Sequence, residues 1–349
     1  MNRVINIDGR SIGPGHKPYV ICELSGNHNG SLDRALALID AAVKTGCDAI
    51  KIQSYTPDTM TIDCENVDFQ IKSGTWSGYN LYQLYQEAHT PFDWHEALFQ
   101  KAKQHGVTIF STPFDETAAD MLDELGAPAF KIASFEIVDL ELIAHVAAKG
   151  KPMIISTGMA NLSEIEAAVN VANHAGCHDI ILLHCISSYP APNDQSNLLT
   201  LVHLADAFDV VGGLSDHTHG TATSVAAVAL GANVIEKHFT LSRSDGGPDA
   251  DFSLEPEEFT KLCDDCASAW ISLGRINYQR QDAEKNNMVF RRSIYIIRDV
   301  KKGEILSRDN IKVIRPGYGL PPVKLKTCLG KTATKDIPRG SALTLDLFR

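Results

Sequence analysis

Apolar residues in this chain gather in short runs, and between the runs lie longer stretches with helical spacing. Strand-like runs stand at Tyr19–Glu23, Ala49–Gln53, Val107–Ser111, Ala129–Ile132, Met153–Ser156, Ile180–His184, Val210–Val211 and Val234–Glu236. One helical stretch runs from a Ser31 cap to a Gly46 stop. Others span Trp94–His105, Glu116–Leu125, Leu140–Lys149, Ser163–Ala175, Leu198–Phe208 and Thr221–Leu230. Runs that are apolar at successive positions suit strands buried on both faces. Eight of them alternating with helices over about 250 residues predict an α/β fold, a (β/α)8 TIM barrel. An open doubly wound sheet is the runner-up, weakened because no G-x-G-x-x-G follows the first run. Ahead of the first run, Val4–Ile7 and Arg10–Ile12 flank Asp8-Gly9, which predicts a two-residue hairpin. A polar, Gly- and Tyr-containing excursion, Ser54–Thr90, interrupts the alternation, and excursions of that length are usually functional.

The pattern changes near the C-terminus. Tyr278–Asn287 has no apolar periodicity, and a strand-like Ser293–Ile297 follows it. The segment Asp299…Gly303…Leu306…Asp309 returns as Asp336…Gly340…Leu343…Asp346 at the same offsets. Two turn-and-strand units of one small β-rich domain account for such a near-repeat. The organisation read from the chain is a barrel domain over 1–277 with its N-terminal hairpin, a linker over 278–288 and a small domain over 289–349.

Composition adds exclusions. The 349 residues carry a formal charge of -11, which argues against nucleic acid or an anionic membrane as partner. No run is long and apolar enough for a membrane span, and Met1-Asn2-Arg3-Val4 leads into no signal-peptide core. The eight cysteines are scattered, and Cys263-x-x-Cys266 lies in a helical stretch, Pro256–Leu273, without a second pair. They read as helix-face thiols of a reduced, cytoplasmic protein.

In a barrel of this kind, chemistry belongs at the C-terminal strand ends. Those ends carry Glu23; Lys51 and Gln53; Ser111 and Thr112; Lys131, Ser134 and Glu136; Ser156 and Thr157; Ser187, Ser188 and Tyr189; Ser215 and His217; Glu236 and His238. Lysines and hydroxyls on one rim suit a phosphate, the first as point charges and the second as directed donors. Two other readings stay open for Lys51 and Lys131: structural ion pairs with Glu23 and Glu136, or a Schiff-base lysine. His217 and His238 follow successive strands and could share a divalent ion, or they could be unrelated loop residues. His184 reads as a satisfied core histidine, and His28 and His219 as loop residues without an assigned role.

Several motifs stand in one order along the chain: Asn27-His28-Asn29-Gly30, Lys51-Ile52-Gln53, Ser111-Thr112-Pro113-Phe114, Lys131–Glu136, Ser156-Thr157-Gly158-Met159, Gly213–His217 and Glu236-Lys237-His238-Phe239. Together they resemble the sialic acid synthase family of nonulosonic acid synthases. The tail with Arg315-Pro316-Gly317 resembles that family's antifreeze-like (SAF) domain. Tyr55–Asp58, Phe69–Gly74, Leu81–Tyr85 and Ala133–Glu136, with Ser187 two residues before Tyr189, are most similar to the pseudaminic acid synthase group.

The resemblance implies a metal-dependent condensation of phosphoenolpyruvate with 2,4-diacetamido-2,4,6-trideoxy-altrose. Pseudaminic acid and phosphate would be the products, formed by C–O cleavage. N-acetylneuraminate or legionaminate synthesis is the sister alternative, and a Schiff-base aldolase or an inactive carbohydrate-binding barrel would be a different class. It implies His217 and His238 as metal ligands, with Mn2+ foremost and Mg2+ or Co2+ as alternatives. It implies Lys51, Thr112, Lys131, Ser134, Ser156 and Ser215 as phosphoenolpyruvate contacts. Glu23, Gln53, Tyr189 and Asp249 would contact the sugar, and Glu136 would transfer a proton. Arg315 would come from the SAF domain capping the partner's barrel in a domain-swapped homodimer.

Overall fold

The computed structural model describes residues 3–349, which form two compact units meeting at Gly274 and Arg275. The first opens with a hairpin, β1 (Ile5–Ile7) and β2 (Arg10–Ile12), turning at Asp8 and Gly9, both at positive φ as the dipeptide predicts. Eight parallel strands follow: β3 (Tyr19–Glu23), β4 (Ala49–Ser54), β5 (Thr108–Pro113), β6 (Phe130–Ile132), β7 (Met153–Ser156), β8 (Ile180–Cys185), β9 (Val211–Ser215) and β10 (Val234–His238). They pair in chain order and β10 closes on β3, so the barrel is complete and the open sheet is excluded.

The period of two along each strand then sorts the side chains. One face of the strands, with Val20, Ile50, Ile52, Ile155, Leu182 and Ile235, packs against the surrounding helices. The other face fills the barrel. Its lower layers are Tyr19, Ile21, Ala49, Phe110, Ala129, Ile154, Ile181, Leu183, Val211 and Val234, and Ile5, Ile7 and Ile12 of the hairpin pack against them. Continuing the same alternation upward brings Glu23, Lys51, Gln53, Thr112, Lys131, Ser156, Ser215, Glu236 and His238 to the inside of the rim. Apolar layers below thus support a polar layer above.

The last two strands run further than their apolar residues imply. β9 reaches Ser215 through Gly212 and Gly213. A Cβ at Gly213 would lie 2.5 Å from the Val234 carbonyl, so glycine here marks close approach of neighbouring strands and not a turn. β10 runs on to His238, which is therefore the last strand residue, paired opposite Glu23. The helix Pro256–Leu273 completes this unit with Cys263 and Cys266 buried on its inner face, and all eight cysteines are free. Among the described residues no helix is long and apolar enough to cross a membrane.

In the second unit, Arg275–Arg349, β11 (Ser293–Ile296) pairs antiparallel with β12 (Ile311–Ile314). The near-repeat pairs with itself. Val300 and Ile337, which are equivalent in the repeat, exchange backbone hydrogen bonds of 2.9 and 2.8 Å. The Asp336 carboxylate accepts from the Lys302 N–H and the Asp299 carboxylate from the Arg339 N–H, each at 2.8 Å. Gly303 and Gly340 turn at φ 87° and 86°, and Leu306 and Leu343 are both buried in this unit's own core. The repeat is thus a local two-fold.

Candidate active site

A cavity of about 390 Å³ opens at the C-terminal end of the barrel. Gln53, Lys51, Lys131, Ser134, Glu136, Ser156, Tyr189, Ser215, His217, His238 and Asp249 all line it. Eleven of the fourteen residues singled out from the sequence therefore meet in one place. Glu23 and Thr112 are fully buried just beneath, where both touch Lys51. Glu23 acts on the cavity through Lys51 and Gln53. Arg315 is exposed at the end of β12 in the second unit.

The cationic corner is built around Glu236, which sequence reading left without a role. Lys51 Nζ lies 3.0 Å from Glu23 Oε2 and 3.4 Å from Glu236 Oε1, and Lys131 Nζ lies 3.9 Å from the same Glu236 oxygen. Ser215 donates to Glu236 at 3.2 Å. The structural pairing of Lys51 with Glu23 is present, whereas Lys131 faces Glu236 and not Glu136. Burial alone would lower Lys51, but the two carboxylates outweigh it and hold the ammonium above its ordinary range. For Lys131 burial wins, and its pKa falls below the ordinary lysine value. Burial likewise lifts Glu23 despite Lys51, while the two lysines overcome burial and draw Glu236 down. The corner holds two ammoniums with hydroxyls of Ser134, Ser156 and Ser215 beside them, and the Ser156 hydroxyl is buried without a partner. An anion with several oxygens would satisfy these donors.

Glu136 lines the cavity with one oxygen buried and unpartnered, and burial pushes its carboxyl up to about 7 from 4.5. Between those values the folded protein binds a proton that the unfolded chain does not, so stability falls as pH rises through that window. Glu136→Gln is expected to melt higher than the parent at pH 8 and level with it at pH 5. An equal difference at both pH values in thermal melts would refute the shift.

The imidazoles of His217 and His238 lie with centroids 5.4 Å apart, between Tyr189 at 4.4 Å from His217 and Phe252 at 5.0 Å from His238. His217 Nδ1 is 3.0 Å from the Ile186 carbonyl, so that nitrogen carries the hydrogen and Nε2 is left as the acceptor. Burial lowers His217, but the neighbouring Cys185 thiol more than offsets this and raises it. Cys185, buried and 3.7 Å away, is drawn down to about 7 by the imidazole despite that burial. Burial and the surrounding cations hold His238 well below its ordinary range, and its Nδ1 is buried without a partner. A neutral imidazole with an unmet nitrogen beside a second imidazole fits a divalent ion. No cluster of three or more His, Cys, Asp or Glu donors exists among the described residues, so further positions on such an ion would belong to water or substrate.

From Glu23, which pairs with His238 across β3 and β10, a polar chain runs to Asp249. Gln53 donates to Glu23 at 2.9 Å and to Ser25 at 3.0 Å, and Ser25 and the Gly26 N–H donate to Asp249. Ser25 carried no sequence signal, because a lone serine after a strand resembles any loop serine. His184 and His28 have structural partners. His184 Nε2 binds the Ser196 carbonyl at 2.7 Å, and His28 packs edge-on against Trp94 while its Nδ1 accepts from the Gly30 N–H.

A family model described as the NeuB family matches residues 38–278, and one described as the SAF domain matches residues 291–349. The chain belongs to the NeuB family. This NeuB-family chain is 43% identical over 333 residues to the pseudaminic acid synthase of Campylobacter jejuni subsp. jejuni serotype O:23/36 (strain 81-176), a match covering 95% of this chain and 97% of that one. It is 40% identical over 324 residues to the N,N'-diacetyllegionaminic acid synthase of C. jejuni strain NCTC 11168, covering 92% and 97%. Among solved structures, the N-acetylneuraminic acid (sialic acid) synthetase from Leptospira borgpetersenii serovar Hardjo-bovis in complex with citrate superimposes with a TM-score of 0.73 at 32% identity. That match covers 83% of this chain and 96% of the other. The family resemblance carried by the strand-end motifs, the TIM barrel and the C-terminal SAF domain are borne out together, and the chain is an enzyme of this synthase kind.

Proposed function

We propose that this NeuB-family enzyme condenses phosphoenolpyruvate with 2,4-diacetamido-2,4,6-trideoxy-altrose and water to give pseudaminic acid and phosphate. The observation that carries the reading is one cavity lined by two buried lysines, three serines and two imidazoles. The corner takes the phosphate and carboxylate of phosphoenolpyruvate through Lys51, Lys131, Ser134, Ser156 and Ser215. Thr112 and Glu23 hold Lys51 from below. Gln53, Tyr189 and Asp249 orient the open-chain sugar with its aldehyde toward the histidines. His217 and His238 would hold a divalent ion, Mn2+ foremost and Mg2+ or Co2+ as alternatives, which would supply Lewis-acid polarisation of that aldehyde.

With both substrates fixed, the C=C pair of phosphoenolpyruvate bonds C3 to the aldehyde carbon, the carbonyl pair moves to the aldehyde oxygen, which takes up a proton and becomes a hydroxyl, and positive character develops at C2. Water adds at C2, and Glu136 takes the proton it sheds, a task suited to a carboxyl near 7. The tetrahedral intermediate then breaks its C–O bond to phosphate, whose growing charge Lys51 and Lys131 meet. In our reading the enzyme works in the cytoplasm as a domain-swapped homodimer, with Arg315 reaching the partner's sugar site. Legionaminate synthesis is the second reading, supported by the comparable 40% identity to a legionaminic acid synthase.

Phosphate release is the test. EDTA-treated enzyme is expected to be inactive and to recover with Mn2+, turning over the altrose derivative faster than N-acetylmannosamine or the legionaminate precursor. Bridging 18O of phosphoenolpyruvate is expected to leave in phosphate. No release with any hexose, or activity surviving EDTA with a borohydride-trapped lysine adduct, would overturn the reading.

A further inference from the structure

Within the excursion between β4 and the next long helix, one loop closes on itself. Gln70 and Asn80 bridge as antiparallel neighbours, the Ile71 N–H donates to the Tyr79 carbonyl at 2.9 Å, and the Gly78 N–H donates to the Ile71 carbonyl at 3.0 Å. Asn80 is buried at the base of this loop, and its side chain also caps the helix Leu81–Ala88. The tip turns at Gly74, φ 86°, with a 3.2 Å bond from the Ser77 N–H to the Gly74 carbonyl. Two adjacent residues of that tip reach two different barrel loops. Thr75 Oγ1 donates to the Tyr189 carbonyl after β8 at 2.6 Å, and Trp76 Nε1 donates to the Pro248 carbonyl after β10 at 2.7 Å. The Trp76 ring also lies 5.4 Å from the Tyr189 ring and 6.4 Å from the Phe252 ring. Pro248 immediately precedes Asp249, so the two bonds end at or beside two residues proposed to hold the sugar.

We infer that Thr75 and Trp76 are positioning residues, a clamp that fixes Tyr189 and Asp249 relative to each other before the sugar arrives. The inference rests on the proposed function and deepens it. Each of the two sugar-facing loops is held on its own side by a neighbour. The Asp249 carboxylate accepts from Ser25 and from the Gly26 N–H, and beyond Tyr189 the Ala191 N–H donates to the His217 carbonyl at 2.9 Å. Thr75 and Trp76, the latter lining the cavity, join those two halves. Without the clamp the sugar would have to order both loops as it binds, and that cost falls on its affinity. The anion corner of Lys51, Lys131, Ser156 and Ser215 stands on β4, β6, β7 and β9 and receives neither bond, so phosphoenolpyruvate binding is spared.

The measurement is KM for the sugar and, separately, for phosphoenolpyruvate, with phosphate release as readout. Trp76→Phe keeps a ring and loses the N–H, and Thr75→Val loses the hydroxyl. Each is expected to raise the sugar KM by about 3–10-fold, the scale of one hydrogen bond, with the phosphoenolpyruvate KM unchanged. Thr75→Ser retains the donor and is expected to keep the parent KM. Because both bonds hold one loop, the double variant Thr75→Val with Trp76→Phe is expected to raise the sugar KM by less than the product of the single effects. A sugar KM that stays at the parent value in either single variant overturns the inference. So do equal rises in both KM values, the mark of a merely structural loop, and a Thr75→Ser protein as impaired as Thr75→Val. Single effects that multiply in full overturn the clamp in favour of two independent contacts. Absence of release with every hexose in the parent enzyme overturns the functional reading and this inference with it.

Discussion

Lys131→Met is expected to cut kcat/KM for phosphate release by about 10²–10³-fold while leaving the barrel at least as hard to melt as the parent. The two halves have separate causes. Lys131 supplies one of two ammoniums in the anion corner, and a fixed donor aimed at developing charge is worth that much in rate. In the resting protein the same charge is unfavourable: burial outweighs Glu236, and the folded state holds Lys131 below the ordinary lysine value. Replacing a buried, under-compensated charge by an apolar side chain of similar length is neutral or stabilising. Glu236 keeps Lys51 at 3.4 Å and the Ser215 hydroxyl at 3.2 Å.

Lys51→Met differs in sign. Lys51 is bound to two buried carboxylates, and its removal leaves Glu23 without a cation and Glu236 with Lys131 at 3.9 Å, at a cost of about 3–5 kcal/mol. Glu23 is already lifted by burial, so that deficit should widen as pH rises, because the folded state then surrenders a proton it prefers to keep. Activity and melting temperature measured on both variants at pH 6 and pH 8 check this. A Lys131→Met protein that melts as low as Lys51→Met would show that the two lysines play one structural role.

Much of this site was legible because barrel physics converts order along the chain into position. Once eight apolar runs are counted, each polar residue that ends a run is assigned to one rim, and the two-residue period selects the inward ones. Lys51, Lys131, Ser156, Ser215 and His238 are found that way without coordinates. Glu236 is placed on the rim in the same way but gains no role, since a carboxylate two residues before a histidine carries no signal of the two lysines that converge on it from β4 and β6. The true ends of β9 and β10 were hidden for a related reason: Gly212 and Gly213 look like turn residues until Ala205 of the preceding helix is seen against the first and Val234 of the neighbouring strand against the second. The Ser54–Thr90 excursion was flagged by its length alone. Its apolar and aromatic residues lack period, so only the fold shows that Tyr55, Met60, Ile71, Trp76, Leu84 and Tyr85 line one cavity.

A stability effect of the same size is expected from Asp216→Asn. Asp216 and Lys237 form a fully buried ion pair of 2.9 Å, each next in sequence to one of the two cavity histidines. Burial raises the Asp216 carboxyl, but Lys237, Ser224 and Thr218 together bring it below the ordinary carboxylate range. Burial lowers Lys237 more than Asp216 restores it. The carboxylate is thus well held by several donors: Ser224 Oγ at 2.6 Å and both the N–H and hydroxyl of Thr218 at 2.9 and 2.7 Å. The ammonium otherwise has only the backbone carbonyls of Asp216 and Thr218.

Neutralising Asp216 therefore strands a buried cation, which costs about 3–5 kcal/mol. Lys237→Met leaves Asp216 with three donors and should cost less, and the double variant should recover part of the Asp216→Asn loss. The same pair straps the end of β9 to β10, with the Asp216 N–H donating to the Glu236 carbonyl at 2.9 Å. Loosening it should misplace both imidazoles and weaken Mn2+ binding by about 10–100-fold, as removal of a ligand's supporting partner does elsewhere. Denaturant melts and Mn2+ titration by calorimetry read the two effects separately. A double variant no more stable than Asp216→Asn, or single variants that bind Mn2+ as the parent does, would dismiss the strap.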